Sequence, residues 1–263
     1  MGAGHAHALY LHEHSVTHRL PAHGKIVAAF LLAVVIATTP NQQPLAYAGI
    51  AVLLALVARV SRVPVRFLLV RLVVVAPFLL TALVLPLVAS GPRIEVLGLS
   101  VSEAGLWGGF GVAARALLGA AASLLLVATT EVPDLLRGLE RLRVPPLLTQ
   151  IAALMVRYLE VIVAEVSRQR RAMTARGYDP RWLWQLRPLT AGLGVLFVRS
   201  YERGERVHAA MLARGFTGRL PALVEEPPVP LSVWLGVLAV PATAAVIRVI
   251  SHVLAGGLGG GFG

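Results

Sequence analysis

Phe67-Leu68-Leu69-Val70-Arg71-Leu72-Val73-Val74-Val75-Ala76-Pro77-Phe78-Leu79-Leu80-Thr81-Ala82-Leu83-Val84-Leu85-Pro86-Leu87-Val88 decides the fold. It carries a single charge and exceeds the ~20 residues that a helix needs to cross a hydrocarbon core. Leu106–Thr129 and Val229–Ile250 are comparably long and apolar, while Ile26–Thr39 and Leu45–Val60 are shorter and on length alone could form a re-entrant hairpin. The whole chain agrees: 263 residues are 57% hydrophobic and 14% charged, with a mean hydropathy of +0.75. Soluble domains rarely have this balance. The expected fold is an all-α integral membrane protein with about five transmembrane helices plus long cytosolic amphipathic helices.

Loop charge orients the spans. Arg19 and Lys25 precede the first span, and Pro40–Pro44 has no Lys or Arg. Arg59, Arg62 and Arg66 surround the next turn, Ala89–Gly105 holds only Arg93, Glu131–Pro228 holds fifteen arginines, and the tail after Ile250 has none. The alternation predicts an N-terminus in the cytosol, a C-terminus outside, and Glu131–Pro228 in the cytosol. The compartment is the plasma (inner) membrane of a multi-pass protein. No cleavable signal peptide is expected, because the N-terminus is polar and no small-residue cleavage site follows the first apolar run. The net charge of +11 is almost entirely arginine placed between apolar runs, which points to lipid headgroups and cytosolic proteins rather than nucleic acid. Pro77, Pro86 and Pro241 should kink or end their helices. Arg71 and Arg248 lie near span ends and can snorkel, whereas Arg115 is deeper and requires a partner or a wet cavity.

The organisation that follows is a His-rich segment 1–25, a four-helix membrane region 26–130, a cytosolic segment 131–228, a last span 229–250 and a Gly-rich tail 251–263. In the cytosolic segment, Glu131-Val132-Pro133-Asp134 opens a short amphipathic helix that Pro145-Pro146 ends. Leu147–Arg176 reads as one long helix with Arg157, Glu160, Arg168 and Arg171 on one face. A second runs from about Leu189 to Arg214, with Arg199, Glu202, Arg203 and Arg206 on a face and a favourable Glu202–Arg206 pair. Both end alike: Ala172-Met173-Thr174-Ala175-Arg176-Gly177-Tyr178 returns as Ala210-Met211-Leu212-Ala213-Arg214-Gly215-Phe216. A basic residue in a last turn followed by a glycine cap is ordinary helix chemistry once. Repeated with flanking alanines and an aromatic, it reads as a pair of docking ends. Arginine is suited to pairing carboxylates across an interface, and Tyr178 or Phe216 offers an anchor.

Several chemistries are excluded. There is no cysteine, hence no disulfide or thiolate metal site. Lys25 is the only lysine and is followed by Ile26, so the G-x-x-x-x-G-K-[ST] phosphate loop is missing. No nucleophile elbow or His-Glu-x-x-His pattern occurs, and no catalytic residues, cofactor or metal site are assigned. His5, His7, His12, His14, His18 and His23 crowd the N-terminus, a pattern able to bind Ni²⁺, Co²⁺ or Zn²⁺, but only compositionally.

With the paired Ala-Arg-Gly motifs, His18-Arg19-Leu20-Pro21, Glu131-Val132-Pro133-Asp134 to Arg143-Val144-Pro145, and Phe197-Val198-Arg199-Ser200-Tyr201-Glu202-Arg203-Gly204, nearly the whole chain resembles the transmembrane T component of energy-coupling factor (ECF) transporters, in the cobalt-associated CbiQ branch. The resemblance implies two amphipathic coupling helices near the cytosolic face. Their ends, Ala175-Arg176-Gly177 and Ala213-Arg214-Gly215, would dock into two separate ABC ATPase subunits. A substrate-binding membrane component would rest on the other surface of these helices, and the assembly would import Co²⁺, with nickel relatives very similar; the equivalent subunit of a nickel or vitamin ECF importer is the alternative. The N-terminal histidines are not carried over, since the family's metal site belongs to the substrate component. Two other readings compete. A self-contained metal channel is disfavoured because the five spans contain no Asp, Glu or His. A membrane scaffold that recruits cytosolic proteins differs in whether its partner is an ATPase.

Overall fold

A computed structural model describes residues 20–96, 99–178, 187–218 and 230–259. Nine α-helices and one β-hairpin make up the described chain. They are α1 (Ala22–Thr38), α2 (Pro44–Val60), α3 (Val65–Arg71), α4 (Ala76–Val88), β1 (Arg93–Val96), β2 (Leu99–Ser102), α5 (Glu103–Ala128), α6 (Val132–Arg141), α7 (Pro146–Ala175), α8 (Arg187–Ala213) and α9 (Leu231–Gly259). The described residues fall into two compact units, one holding 20–138 with 230–259 and the other 139–218.

In the first unit, α1, α2, α5 and α9 pack around a core of Leu32, Ile36, Ile50, Leu54, Leu125 and Ala244. The run Phe67–Val88 is not one helix: a 3₁₀ turn at Leu72–Val75 separates α3 from α4. Pro77 explains the break, because it sits in the first turn of α4 and has no N–H to continue the ladder. Pro86 and Pro241 are tolerated inside α4 and α9. Together α3 and α4 span Val65–Val88, which with α5, α7 and α9 is long and apolar enough to cross a membrane. The long apolar stretch in α7 lies in a segment read from sequence as cytosolic. Its charges crowd towards the C-terminal end, where Glu165, Arg168, Arg170 and Arg171 fall within seven positions.

α4 and α5 form the most intimate pair. Gly105-x-x-x-Gly109 faces α4: a Cβ on Gly105 would lie 2.7 Å from the Pro86 Cα, and one on Gly109 would collide with the Ala82 carbonyl oxygen. Small residues let membrane helices approach to backbone contact. The β-hairpin, paired Arg93↔Ser102 to Val96↔Leu99, joins α4 to α5 and is the one departure from all-α among the described residues. Ser102 caps α5 by accepting from the Gly105 N–H at 3.4 Å.

Helix α1 is tied at both ends, and α2 at the end it shares with the α1–α2 turn. At one end, Lys25 donates to the Thr129 carbonyl at 2.8 Å and the Thr130 hydroxyl at 3.2 Å, and His23 meets Trp234 edge-on. At the other, Arg115 donates to the Thr39 carbonyl at 2.8 Å and Asn41 Oδ1 at 2.6 Å. Tyr47 donates to the same Thr39 carbonyl, Arg248 donates to the Thr38 hydroxyl, and Gln43 pairs with His252. Arg115 thus has the partner its depth requires. Asn41 sits against Gly111, eight residues into α5, so the α1–α2 turn is recessed by ~12 Å along that helix. Helices of 17 residues need reach no further. Arg71 lies 3.6 Å over the Phe67 ring. Of the expected Gly-rich tail, 251–259 continues α9, and 260–263 lies outside the described residues, as do His5, His7, His12, His14 and His18.

Candidate functional site

The second unit is a pair of long helices, α7 and α8, and the structure brings the sequence-predicted motifs to their C-terminal ends. In α7, the Gly177 N–H donates to the Thr174 carbonyl at 2.9 Å and the Tyr178 N–H donates to the Met173 carbonyl at 3.1 Å. In α8, Gly215 donates to Leu212 and Phe216 to Met211, both at 3.0 Å. These are the two bonds of the Schellman motif, made twice in the same register. The motif requires a left-handed residue, supplied by Gly177 at φ +79° and Gly215 at φ +82°. Glycine is therefore the element that stops each helix immediately after its arginine.

The presentation of side chains is also matched. Ala175, Arg176 and Gly177 are exposed, as are Ala213, Arg214 and Gly215, while Met173, Tyr178, Met211 and Phe216 are half-buried. The half-buried pairs occupy the positions that close a Schellman cap with an apolar contact. Among the described residues neither the Arg176 nor the Arg214 side chain has a hydrogen bond or ion pair, so each helix end offers a solvated guanidinium flanked by a methyl group and a bare backbone.

The helices run antiparallel, which places these ends apart. Gly192 of α8 lies beside Met173 and Gln169 of α7, with Met173 Cε 3.2 Å from where a Cβ would stand. Further along, Arg199 donates to Glu165 at 2.7 Å, and Arg168 also bonds that carboxylate. The Arg168 hydrogen bond first, and Arg199 after it, hold the Glu165 carboxyl below the usual carboxylate range, against a desolvation that acts the other way. From Gly192 to Ala213, α8 extends ~32 Å, so Arg214 stands about 30 Å from the Arg176 end. Beyond the ion pair the helices splay around a groove of about 680 Å³, apolar on the α7 side through Ile151, Met155 and Ile162, and charged on the α8 side through Arg199, Glu202 and Arg206. The expected Glu202–Arg206 pair is present at 3.9 Å. Glu165 was not singled out from sequence. Its signal was available: it is the acid three positions before Arg168 at the border of the apolar stripe. Asp179-Pro180 and Pro221, which by sequence should keep α7 and α8 from continuing, lie outside the described residues.

A profile of the CbiQ cobalt transport protein family matches residues 13–224, which takes in both helix ends. The chain belongs to this family. The energy-coupling factor transporter transmembrane protein EcfT of Bacillus selenitireducens is 32% identical over 224 residues, covering 80% of this chain and 82% of that protein. The cobalt transport protein CbiQ of Rhodobacter capsulatus is 30% identical over 168 residues, covering 64% and 67%. The nickel permease LarQ of Lactiplantibacillus plantarum is 34% identical over 90 residues, covering 34% and 33%. Membership of the CbiQ family makes this chain a membrane-spanning transporter component. No cluster of three His, Asp or Glu side chains capable of holding a metal ion occurs among the described residues.

Proposed function

We propose that this chain is the energy-coupling subunit of an ECF-type importer of cobalt ions, passing a conformational change from two ABC ATPase subunits to a substrate-binding membrane subunit. The observation that carries the reading is the pair of superimposable helix ends, Ala175-Arg176-Gly177 and Ala213-Arg214-Gly215, each with an unpaired arginine, at opposite ends of one antiparallel helix pair. One such end fits one groove; two that match, about 30 Å apart, fit two copies of a similar surface. The names of the CbiQ and EcfT relatives support the transporter class, and that of CbiQ supports the cargo. The orientation is N-terminus cytosolic, with residues 131–228 on the cytosolic side.

The mechanism follows from stiffness. An α-helix of about thirty residues moves as a body, so drawing the two arginine ends together turns the pair about its Glu165–Arg199 tie and widens the α7–α8 groove beyond it. A substrate-binding subunit resting on the apolar α7 face is displaced by that motion. Each arginine meets a carboxylate in an ATPase groove, a contact sensitive to truncation. The test is copurification from solubilised native membranes. Wild type should bring down an ABC ATPase, and the Arg176→Ala/Arg214→Ala variant, with an unchanged melting temperature, should not. Full ATPase recovery and normal metal uptake by the double variant would refute the docking role. Recovery of a partner without ATPase activity would favour a scaffold.

A further inference from the structure

We infer that the first unit holds a binding site for one acyl chain of an anionic phospholipid, in a cavity between α1, α2, α5 and α9. The cavity measures about 330 Å³ and is almost wholly apolar, with Leu32, Leu54, Leu125 and Val240 along its depth. This volume is near the lower end of the roughly 300–1,000 Å³ of small-molecule sites, room for a chain rather than a whole lipid. Leu56 and Val60 border it and are exposed, in a membrane-spanning unit where the surrounding fluid is lipid. Along its apolar depth water has nothing to bond, whereas an acyl chain restores the dispersion contacts that the lining side chains lack.

The polar groups are confined to one end. Lys25, Ser61 and Thr129 line the cavity there. Ser61 is 1% exposed, and its hydroxyl has no partner. A buried hydroxyl left unpaired is costly, and a ligand oxygen would satisfy it. The Lys25 ammonium spends two donors on Thr129 and Thr130, and its third N–H has no protein acceptor among the described residues. The nearby acid, Asp134, is paired with Arg137 at 3.3 Å. Arg59 and Arg62, exposed on either side of Val60 and Ser61, add positive charge at this end. One apolar slot with a cation and an unpaired hydroxyl at one end has the polarity of an anionic lipid: a chain along its depth, and ester or phosphate oxygens toward Ser61 and Lys25. This site is separate from the helix ends of the proposed function and does not rest on them.

Native mass spectrometry of the full-length protein, purified in mild detergent and titrated with palmitoyl-oleoyl phosphatidylglycerol or phosphatidylcholine, tests the assignment. Wild type should retain one lipid through delipidation and prefer phosphatidylglycerol by about tenfold, because both headgroups offer the same phosphate and ester oxygens but choline adds a cation that the positive charge at Lys25, Arg59 and Arg62 disfavours. Ala29→Phe, which fills the cavity, should abolish retention, whereas Lys25→Gln should keep a chain and lose most of the preference, and Ser61→Ala should weaken retention of both lipids alike. Equal retention by wild type and a folded Ala29→Phe overturns the site. Should Ala29→Phe not fold, the smaller variants decide: an unchanged phosphatidylglycerol-to-phosphatidylcholine ratio in Lys25→Gln overturns it equally.

Discussion

Replacing Gly215 by alanine, asparagine and valine in turn isolates backbone geometry from side-chain bulk. A Cβ at Gly215 or at Gly177 would meet nothing within 4 Å, so none of these residues encounters a neighbour. What each encounters is φ +82°, or +79° at Gly177. Holding an L-residue in that region costs about 1–2 kcal/mol for alanine, more for β-branched valine, and less for asparagine. Alanine at Gly215 therefore competes with the two capping bonds, from Gly215 to Leu212 and from Phe216 to Met211, and lets the chain run on past Arg214. If docking needs the helix to stop there, 1.4 kcal/mol of lost preorganisation weakens ATPase capture about tenfold. The two ends are about 30 Å apart and share no contact, so Gly177→Ala/Gly215→Ala should lose about a hundredfold. The assay is the amount of ATPase recovered per membrane subunit over a titration series, beside the thermal melt, which the loss of one terminal cap should barely move. Asparagine should stay close to wild type. An alanine variant that binds as well as wild type, or an asparagine variant as damaged as valine, would show that the left-handed glycine does not present the arginine.

Three further outcomes follow from the packing. Gly109→Ala should destabilise the purified protein by about 1–3 kcal/mol, read as a lower melting temperature in detergent, because its Cβ collides with the Ala82 carbonyl and forces α4 from α5. Arg115→Leu should cost about 1–3 kcal/mol for each acceptor left buried without a donor, since Asn41 loses its guanidinium and Thr39 keeps only Tyr47; Arg115→Lys should recover part of the loss. Glu165→Gln should broaden the distance distribution between spin labels at Gln169 and Leu193. The wild-type distribution should broaden likewise only as pH falls through the depressed carboxyl pKa, because the folded state binds that proton less readily than the unfolded chain and the tie is intact at neutral pH.

Much of this was legible in the sequence because membrane helices and helix caps leave strong one-dimensional signals. Apolar length places α5 and α9, and the glycine after Arg176 and Arg214 fixes where α7 and α8 end to within a residue. Legibility stops where the information is pairwise. Arg115 is visibly expensive at its depth, yet only the antiparallel registration of α1 with α5, with Lys25 at Thr129 and Thr39 at Arg115, shows that its partner is the end of α1. The same holds for Gly105-x-x-x-Gly109, a spacing that occurs by chance in apolar helices and gains meaning from the backbone of α4 against it. The coupling pair needs both kinds of information. Local sequence makes each arginine end, but the distance between them depends on Glu165 meeting Arg199 across two helices. The sequence pattern that makes two alike ends would serve equally well on one surface or on two. The antiparallel tie holds the ends about 30 Å apart, too far to share a single groove, which is the spacing that the proposed pairing with two ATPase subunits needs.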